Sequence, residues 1–315
     1  MIKSLIGNTP IVRIKVKFNN RTKNIYAKLE YYNYTGSIKD RLASYIIEES
    51  YKNGTLKKDM PIIEATSGNT GIAFSALGAL YGHQVHIFMP DWVSVERRKI
   101  MEMYGAKIYL VSKEEGGFGE AIKRADNLAK RIGGFRSNQF SNKLNIDAHY
   151  NGTGKEIIEK VSNIGAFLSG FGTGGTLVGV SKKIKEKFPN AKVVALEPEN
   201  MTLLSKNKRI GNHKIEGIGD DFLPDLVDTK LIDKVLTISD DEAINMAQIL
   251  SRKLGLGVGI SSGANFFASA VTNEDNIVTI FADDFKKYLS TDLFKSLNNK
   301  NLVSNTIDIL EMEVL

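Results

Sequence analysis

The stretch Ala166-Phe167-Leu168-Ser169-Gly170-Phe171-Gly172-Thr173-Gly174-Gly175-Thr176 runs from a short apolar segment, through a glycine-rich turn, into an amphipathic stretch over 176–188. A strand that hands over to a helix across such a turn is the building unit of an open α/β sheet, and these sheets bind ligands at the handover. The same alternation recurs along the chain. Apolar or β-branched runs at 25–29, 61–64, 84–89, 107–111, 166–169, 192–196 and 276–281 read as strands. Between them 37–52, 70–81, 95–104, 119–132 and 176–188 read as helices. Ser239 with Glu242 forms a capping box for a further helix ending near Gly255. The expectation is an α/β fold whose parallel sheets carry helices on both faces. No repeat or low-complexity linker separates the elements, so two domains would share chain crossings.

A chain of 315 residues with 42% hydrophobic residues can bury a sizeable core, as two domains or one large one. Its 42 Lys+Arg against 36 Asp+Glu give a net charge of +6, spread along the chain rather than clustered. That balance favours small anions slightly and argues little for nucleic acid. With no Cys, a disulfide framework, a thiolate metal site and a cysteine nucleophile are all excluded; no metal is expected. Met1-Ile2-Lys3-Ser4 lacks the apolar core of a signal peptide, and the most apolar window, 71–80, is far shorter than the roughly 20 residues of a membrane span. A soluble cytoplasmic protein is expected.

Three turns can carry chemistry. Thr66-Ser67-Gly68-Asn69-Thr70-Gly71 follows a strand and opens a helix, where backbone N–H groups and the helix dipole suit a carboxylate or phosphate; a simply capped helix start fits it too. Gly170, Gly172 and Gly175 satisfy G-x-G-x-x-G, with Glu197 about 20 residues on. That spacing keeps a nicotinamide oxidoreductase open beside a phosphate cradle. Gly259-Ile260-Ser261-Ser262-Gly263-Ala264 offers two hydroxyls, and taken alone reads as a cap. Lys39, in Thr35-Gly36-Ser37-Ile38-Lys39-Asp40-Arg41, stands in a first helical turn, where the dipole disfavours a cation. It is either an exposed surface lysine or a lysine that something uses.

Taken together, Gly36-Ser37-Ile38-Lys39-Asp40-Arg41, Thr66–Gly71, Gly172-Thr173-Gly174-Gly175-Thr176 and Gly259-Ile260-Ser261-Ser262-Gly263 resemble cysteine synthase (O-acetylserine sulfhydrylase), a fold-type II pyridoxal-phosphate enzyme. The likeness runs from Ile6-Gly7-Asn8-Thr9-Pro10 to Tyr288-Leu289-Ser290-Thr291. Met89-Pro90-Asp91, Ser94, Glu96-Arg97-Arg98, Gln139-Phe140 and Ala148-His149-Tyr150 are most similar to the cysteine synthase B branch. The resemblance implies two three-layer αβα domains with mostly parallel twisted sheets, as in tryptophan synthase β. A smaller mobile domain would span 36–142, and a larger cofactor-binding one 1–35 and 143–315. It implies that Lys39 holds pyridoxal 5'-phosphate as a Schiff base and moves protons at the substrate Cα. Asn69 would meet the cofactor's 3-oxygen, Gly172 to Thr176 its phosphate, and Ser261 its pyridine nitrogen. Thr66, Ser67, Gly68, Thr70, Gln139 and Gly219 would face the small amino-acid substrate. Loss of the β-substituent to an aminoacrylate, then addition of a nucleophile, completes the implied reaction, and a homodimer is implied as well.

The sequence departs from that family at Gly217-Ile218-Gly219-Asp220-Asp221-Phe222, where the relatives carry Ala-Gly after Gly-Ile-Gly. Asp283-Asp284-Phe285-Lys286-Lys287 also differs, lacking the usual Gly and Arg before Tyr288. Either the acidic pair points to solvent, or Asp221, with Asp220, deprotonates an incoming nucleophile. Two reactions follow: O-acetylserine plus sulfide giving L-cysteine and acetate, or L-cysteine losing hydrogen sulfide and taking up water to give L-serine. The NAD(P)-dependent oxidoreductase is the distant third reading.

Overall fold

Parallel strands buried on both faces read as continuous apolar runs, and four segments here have that character. Ile62–Ala65, Val85–Pro90, Ala166–Gly170 and Ile277–Phe281 are buried almost throughout. The computed structural model describes residues 2–297 and 301–315, so Met1 of the opening stretch lies outside it. In chain order the strands are β1 Ile11–Phe18, β2 Arg21–Leu29, β3 Ile62–Ala65, β4 Val85–Pro90, β5 Lys107–Val111, β6 Phe135–Arg136, β7 Ala166–Gly170 and β8 Lys192–Pro198. They continue with β9 Met201–Thr202, β10 Lys208–Arg209, β11 Lys234–Ile238, β12 Ile277–Phe281 and β13 Asp308–Val314.

They form a four-stranded sheet, β5-β4-β3-β6, a seven-stranded sheet, β11-β8-β7-β12-β2-β1-β13, and a small β10-β9 ribbon. Every pairing in the four-stranded sheet is parallel. The larger sheet is parallel from β11 to β2, with β1 and β13 antiparallel at its edge. The expected 36–142 unit contains the whole four-stranded sheet.

The helices are α1 Lys39–Lys52, α2 Asn69–Tyr81, α3 Val95–Met103, α4 Gly117–Ile132, α5 Leu144–Ala148, α6 Lys155–Lys160, α7 Gly175–Lys187, α8 Leu203–Lys206, α9 Asp240–Leu254 and α10 Ile260–Val271. Each expected helix lies within a few residues of its reading. At α9 only half of the expected capping box forms: Ser239 Oγ accepts from Glu242 N–H at 3.4 Å, while the Glu242 carboxylate accepts from Val303 and Ser304 N–H at 2.6 and 2.9 Å. Ser37 Oγ accepts from Lys39 N–H at 3.2 Å, and the Asp40 carboxylate turns back to Thr35 N–H at 2.8 Å. A π-helical turn at His149–Gly154 joins α5 to α6, a local geometry that often accompanies functional sites. Among the described residues no helix is long and apolar enough to cross a membrane.

One buried cluster ties the first turn of α1 to the larger sheet. Arg41 donates to Glu30 at 2.5 and 2.9 Å and to Glu156 at 2.7 Å from each terminal nitrogen. Lys28 pairs with Glu156 at 2.7 Å. Lys28, Glu30 and Arg41 are all buried, so each charge depends on its partners. The network anchors the base of the helix that presents Lys39.

Candidate active site

Two helix N-termini face one pocket. The 66–70 turn leaves β3 and opens α2; the 170–176 turn leaves β7 and opens α7. First-turn N–H groups have no intrahelical acceptor and carry the positive end of the dipole. Among the described residues, the N–H groups of Gly172, Thr173, Gly174 and Thr176 reach no protein acceptor, nor do those of Ser67, Asn69 and Thr70. Each set is a nest for an anion.

Gly174 has φ +85°, a left-handed conformation that suits glycine and turns the loop into the helix. Gly175 makes a close approach instead: a Cβ there would meet Asn145 Oδ1 at 2.1 Å. Gly175 thus packs behind the loop rather than lining the pocket. Asn145 is buried and donates to Thr173 Oγ1 at 2.9 Å and to the Gln139 carbonyl at 2.9 Å. His149 Nε2 lies 3.2 Å from Thr176 Oγ1. Burial, with Lys39 and Arg41 adding, holds His149 well below its usual value and keeps it neutral. Gly175→Ala is expected to lower stability by about 1–3 kcal/mol through overpacking, read by denaturant unfolding. The Asn145→Ala background should recover part of that loss.

Lys39, Asn69, Gly172, Thr173, Gly174, Thr176 and Ser261 line one part of the pocket. Lys39, Thr66, Ser67, Gly68, Asn69, Thr70 and Gln139 line the adjoining part. Burial holds the Lys39 ammonium below its usual value, against the opposing pull of Asp220 and Asp283. A lysine so tuned supplies neutral amine more readily than a surface one. Asn69 Nδ2 donates to Asp283 Oδ2 at 2.7 Å, while its Oδ1 is buried without a protein partner. Ser262 Oγ accepts from Ala282 N–H at 3.0 Å. The Ser261 hydroxyl, also buried, has no protein partner among the described residues and lines the pocket.

Free N–H groups for a phosphate, an amide with an unpartnered oxygen, a free hydroxyl and a lysine of lowered basicity fit pyridoxal phosphate. In the second chamber, Thr70 Oγ1 donates to Gln139 Oε1 at 2.7 Å and Gln139 Nε2 to the Ala65 carbonyl at 3.0 Å. Gln139 is thus fixed beside the free N–H groups.

Not every expected residue sits where its motif suggested. Gly219 is off the pocket wall: its N–H donates to the Phe171 carbonyl at 3.0 Å and its carbonyl accepts from His213 at 2.7 Å. Gly217 lines the wall instead. Asp221 is exposed and paired with Arg209 at 3.0 Å. The pocket carboxylate is its neighbour Asp220. Burial pushes Asp220 up to about 6, with Asp221 adding and Lys39 opposing.

Two pocket residues escaped the motif reading of roles. Glu216 ion-pairs with Arg97, and both line the substrate chamber; an acidic residue beside Gly217 and an Arg three residues after Ser94 were the available signals. Glu197 does not serve a ribose. Its carboxylate accepts from Leu204 N–H at 3.0 Å and Ser205 N–H at 3.1 Å, capping α8, so the dinucleotide reading loses its acidic partner.

Comparison with known proteins agrees with this geometry. The family described as pyridoxal-phosphate dependent enzyme matches residues 2–283. Cysteine synthase B of Campylobacter jejuni is 41% identical over 298 residues, covering 93% of this chain and 98% of the relative. The crystal structure of a hydrogen sulfide-producing enzyme from Fusobacterium nucleatum is 46% identical with TM-score 0.94, covering 99% of this chain and 97% of that one. Cysteine synthase from Entamoeba histolytica is 36% identical with TM-score 0.87, covering 97% and 93%.

Proposed function

The chain belongs to the pyridoxal-phosphate dependent enzymes, in their cysteine synthase group, and from that premise we propose that it exchanges the β-substituent of a small amino acid, converting O-acetylserine and sulfide to L-cysteine and acetate. One observation carries the reading: Lys39 stands between two nests of free N–H groups, with Asn69 and Ser261 on the same wall. When bound, pyridoxal phosphate supplies an electron sink that stabilises negative charge at the substrate Cα.

The residues around it do the rest. Gly172, Thr173, Gly174 and Thr176 hold the phosphate, with Gly175 packed behind them; Asn69 meets the 3-oxygen, and Ser261 meets the pyridine nitrogen as a neutral partner. Thr66, Ser67, Gly68 and Thr70, braced by Gln139, take the substrate carboxylate at the N-terminus of α2. Lys39 would hold the cofactor covalently, and its amine would take the substrate Cα proton and return it. Closure of the 36–142 domain over the pocket excludes water. A cytoplasmic homodimer is part of the same proposal.

The test is direct: purified protein with cofactor, O-acetylserine and sulfide should release cysteine and acetate in equal amounts. Formation of neither contradicts the reading.

A second reaction has its own supporting observation. Asp220 lines the substrate chamber, forms no hydrogen bond or ion pair among the described residues, and titrates at about 6. A carboxylate there can take a proton from attacking water, which converts L-cysteine to L-serine with release of sulfide. Serine formation from cysteine should rise with pH through about 6 as Asp220 ionises. Asp220→Asn should lose that limb and fall by about 10²-fold, the lower end of what a general base contributes. Serine yield by amino-acid analysis across pH checks both; an unchanged profile removes Asp220 from the role.

A further inference from the structure

Resting on the β-exchange reading, we propose that the nucleophile chamber selects thiols carrying an ammonium group and rejects thiols carrying a carboxylate, making aminothiols alternative acceptors in this enzyme. The argument is a census of charge in the chamber. Its cations are Lys39 and Arg97, and its carboxylates are Glu216 and Asp220, with Asp283 directly behind them.

Both cations already face carboxylates. Lys39, when it carries the Cα proton, is opposed by Asp220 and Asp283. Arg97 is buried and saturated: it ion-pairs with Glu216, donates to Ser94 Oγ at 2.9 Å and to the Lys287 carbonyl at 3.4 Å, lies 3.8 Å from Asp283, and sits over the Tyr288 ring at 4.4 Å. Of the carboxylates, Glu216 and Asp283 share Arg97, and Asp283 also accepts from Asn69 at 2.7 Å and Tyr288 at 2.9 Å.

Asp220 forms no hydrogen bond or close ion pair among the described residues, though the Lys39 charge acts on it. Burial raises it, yet only to about 6, so it is an anion in the mildly alkaline range where thiols begin to ionise. The positive ends of α2 and α7 do not offset it, because the amino-acid carboxylate and the phosphate occupy them. Three carboxylates against two cations therefore leave an incoming group facing one negative charge in excess in a low-dielectric enclosure. There a like charge is repelled and an ammonium is attracted far more than in water.

The chemistry balances without a further reagent. The Cβ–O bond of O-acetylserine breaks and acetate leaves with its electron pair. The thiol sulfur forms the Cβ–S bond, and its S–H proton passes to Asp220. With 2-aminoethanethiol the product is the corresponding S-aminoethyl amino acid.

The experiment compares kcat/KM of the holoenzyme for 2-aminoethanethiol, 2-mercaptoethanol and mercaptoacetate, with O-acetylserine as donor and sulfide as reference, each corrected for its own thiolate fraction. The aminothiol should exceed mercaptoacetate by at least about tenfold, with the neutral thiol between them, as one carboxylate in excess in a low-dielectric pocket requires. Asp220→Asn should bring that ratio close to one, and Glu216→Gln, which frees Arg97, should shift it toward mercaptoacetate. Ligand-observed NMR with the unreactive S-methyl ethers of the two charged thiols gives a second readout: the ammonium ether should bind wild type better, and that preference should vanish in Asp220→Asn. Equal or better use of mercaptoacetate by wild type, with sulfide turning over normally, overturns the inference. So does a ratio that Asp220→Asn leaves unchanged. Failure of sulfide and every thiol to react overturns the β-exchange reading itself.

Discussion

Lys39→Ala is expected to reduce cysteine formation from O-acetylserine by at least about 10²–10⁴-fold, the range that positioned acid–base groups supply, and to remove the visible band that belongs to the covalently attached cofactor. The physical reason is the lysine's placement. Lys39 opens α1 where the dipole disfavours a cation, and burial lowers its basicity, so it gives up its proton more readily than a surface lysine. Lys39→Arg keeps a cation there but cannot attach the cofactor or move the proton, and should be equally inactive. Turnover and the absorbance spectrum check both variants. Because the phosphate nest and Ser261 are untouched, the alanine variant should still bind the cofactor reversibly, measurable by equilibrium dialysis.

The second large effect is on stability. Arg41→Ala should cost about 3–5 kcal/mol, since removing one member of a buried ionic cluster strands the others. Glu30 would be left fully buried with Lys28 at 4.0 Å as its remaining ion-pair partner. Arg41→Lys keeps the charge but loses the forked contacts to both carboxylates, and should fall between wild type and alanine.

The cluster also sets an acid limb. Burial alone would raise Glu30, but Arg41, Lys28 and the Thr9 hydroxyl outweigh it and hold the carboxyl below its usual value; Glu156 is lowered by the same cations against its own burial. Folded-state values below the unfolded ones mean that this stabilisation is present above the ordinary carboxylate range and is lost as pH falls through the depressed values. Arg41→Ala should flatten that limb. Denaturant midpoints measured from neutral to acid pH read both the loss and the flattening.

The central strands were legible because burial on both faces leaves a continuous apolar run, as in Ile277–Phe281. The edge was not. β1, Ile11–Phe18, alternates apolar and basic residues, and β13, Asp308–Val314, is largely exposed. Neither presents the uninterrupted signal of a parallel core strand. The π-helical turn at His149–Gly154 has no periodicity of its own to announce it.

Within the site, strand-turn-helix motifs marked both N–H nests, because glycine and hydroxyl residues at a handover have a physical reason to be there. Which of two adjacent aspartates enters the pocket was another matter. Asp220 and Asp221 differ by one position in a non-periodic loop, and one lines the pocket while the other pairs with Arg209. Residue type alone carries no such direction. Glu197 illustrates the converse, since its spacing suited a ribose contact while its carboxylate caps α8.

The central claim is that Lys39 carries the cofactor. It is tested most directly by reducing the cofactor-loaded protein with borohydride, which fixes the linkage, and locating the modified lysine by peptide mass spectrometry. The account predicts the label on the peptide containing Lys39, and its absence from that peptide in Lys39→Ala. Label on a different lysine in wild type, or none after full loading, would contradict it.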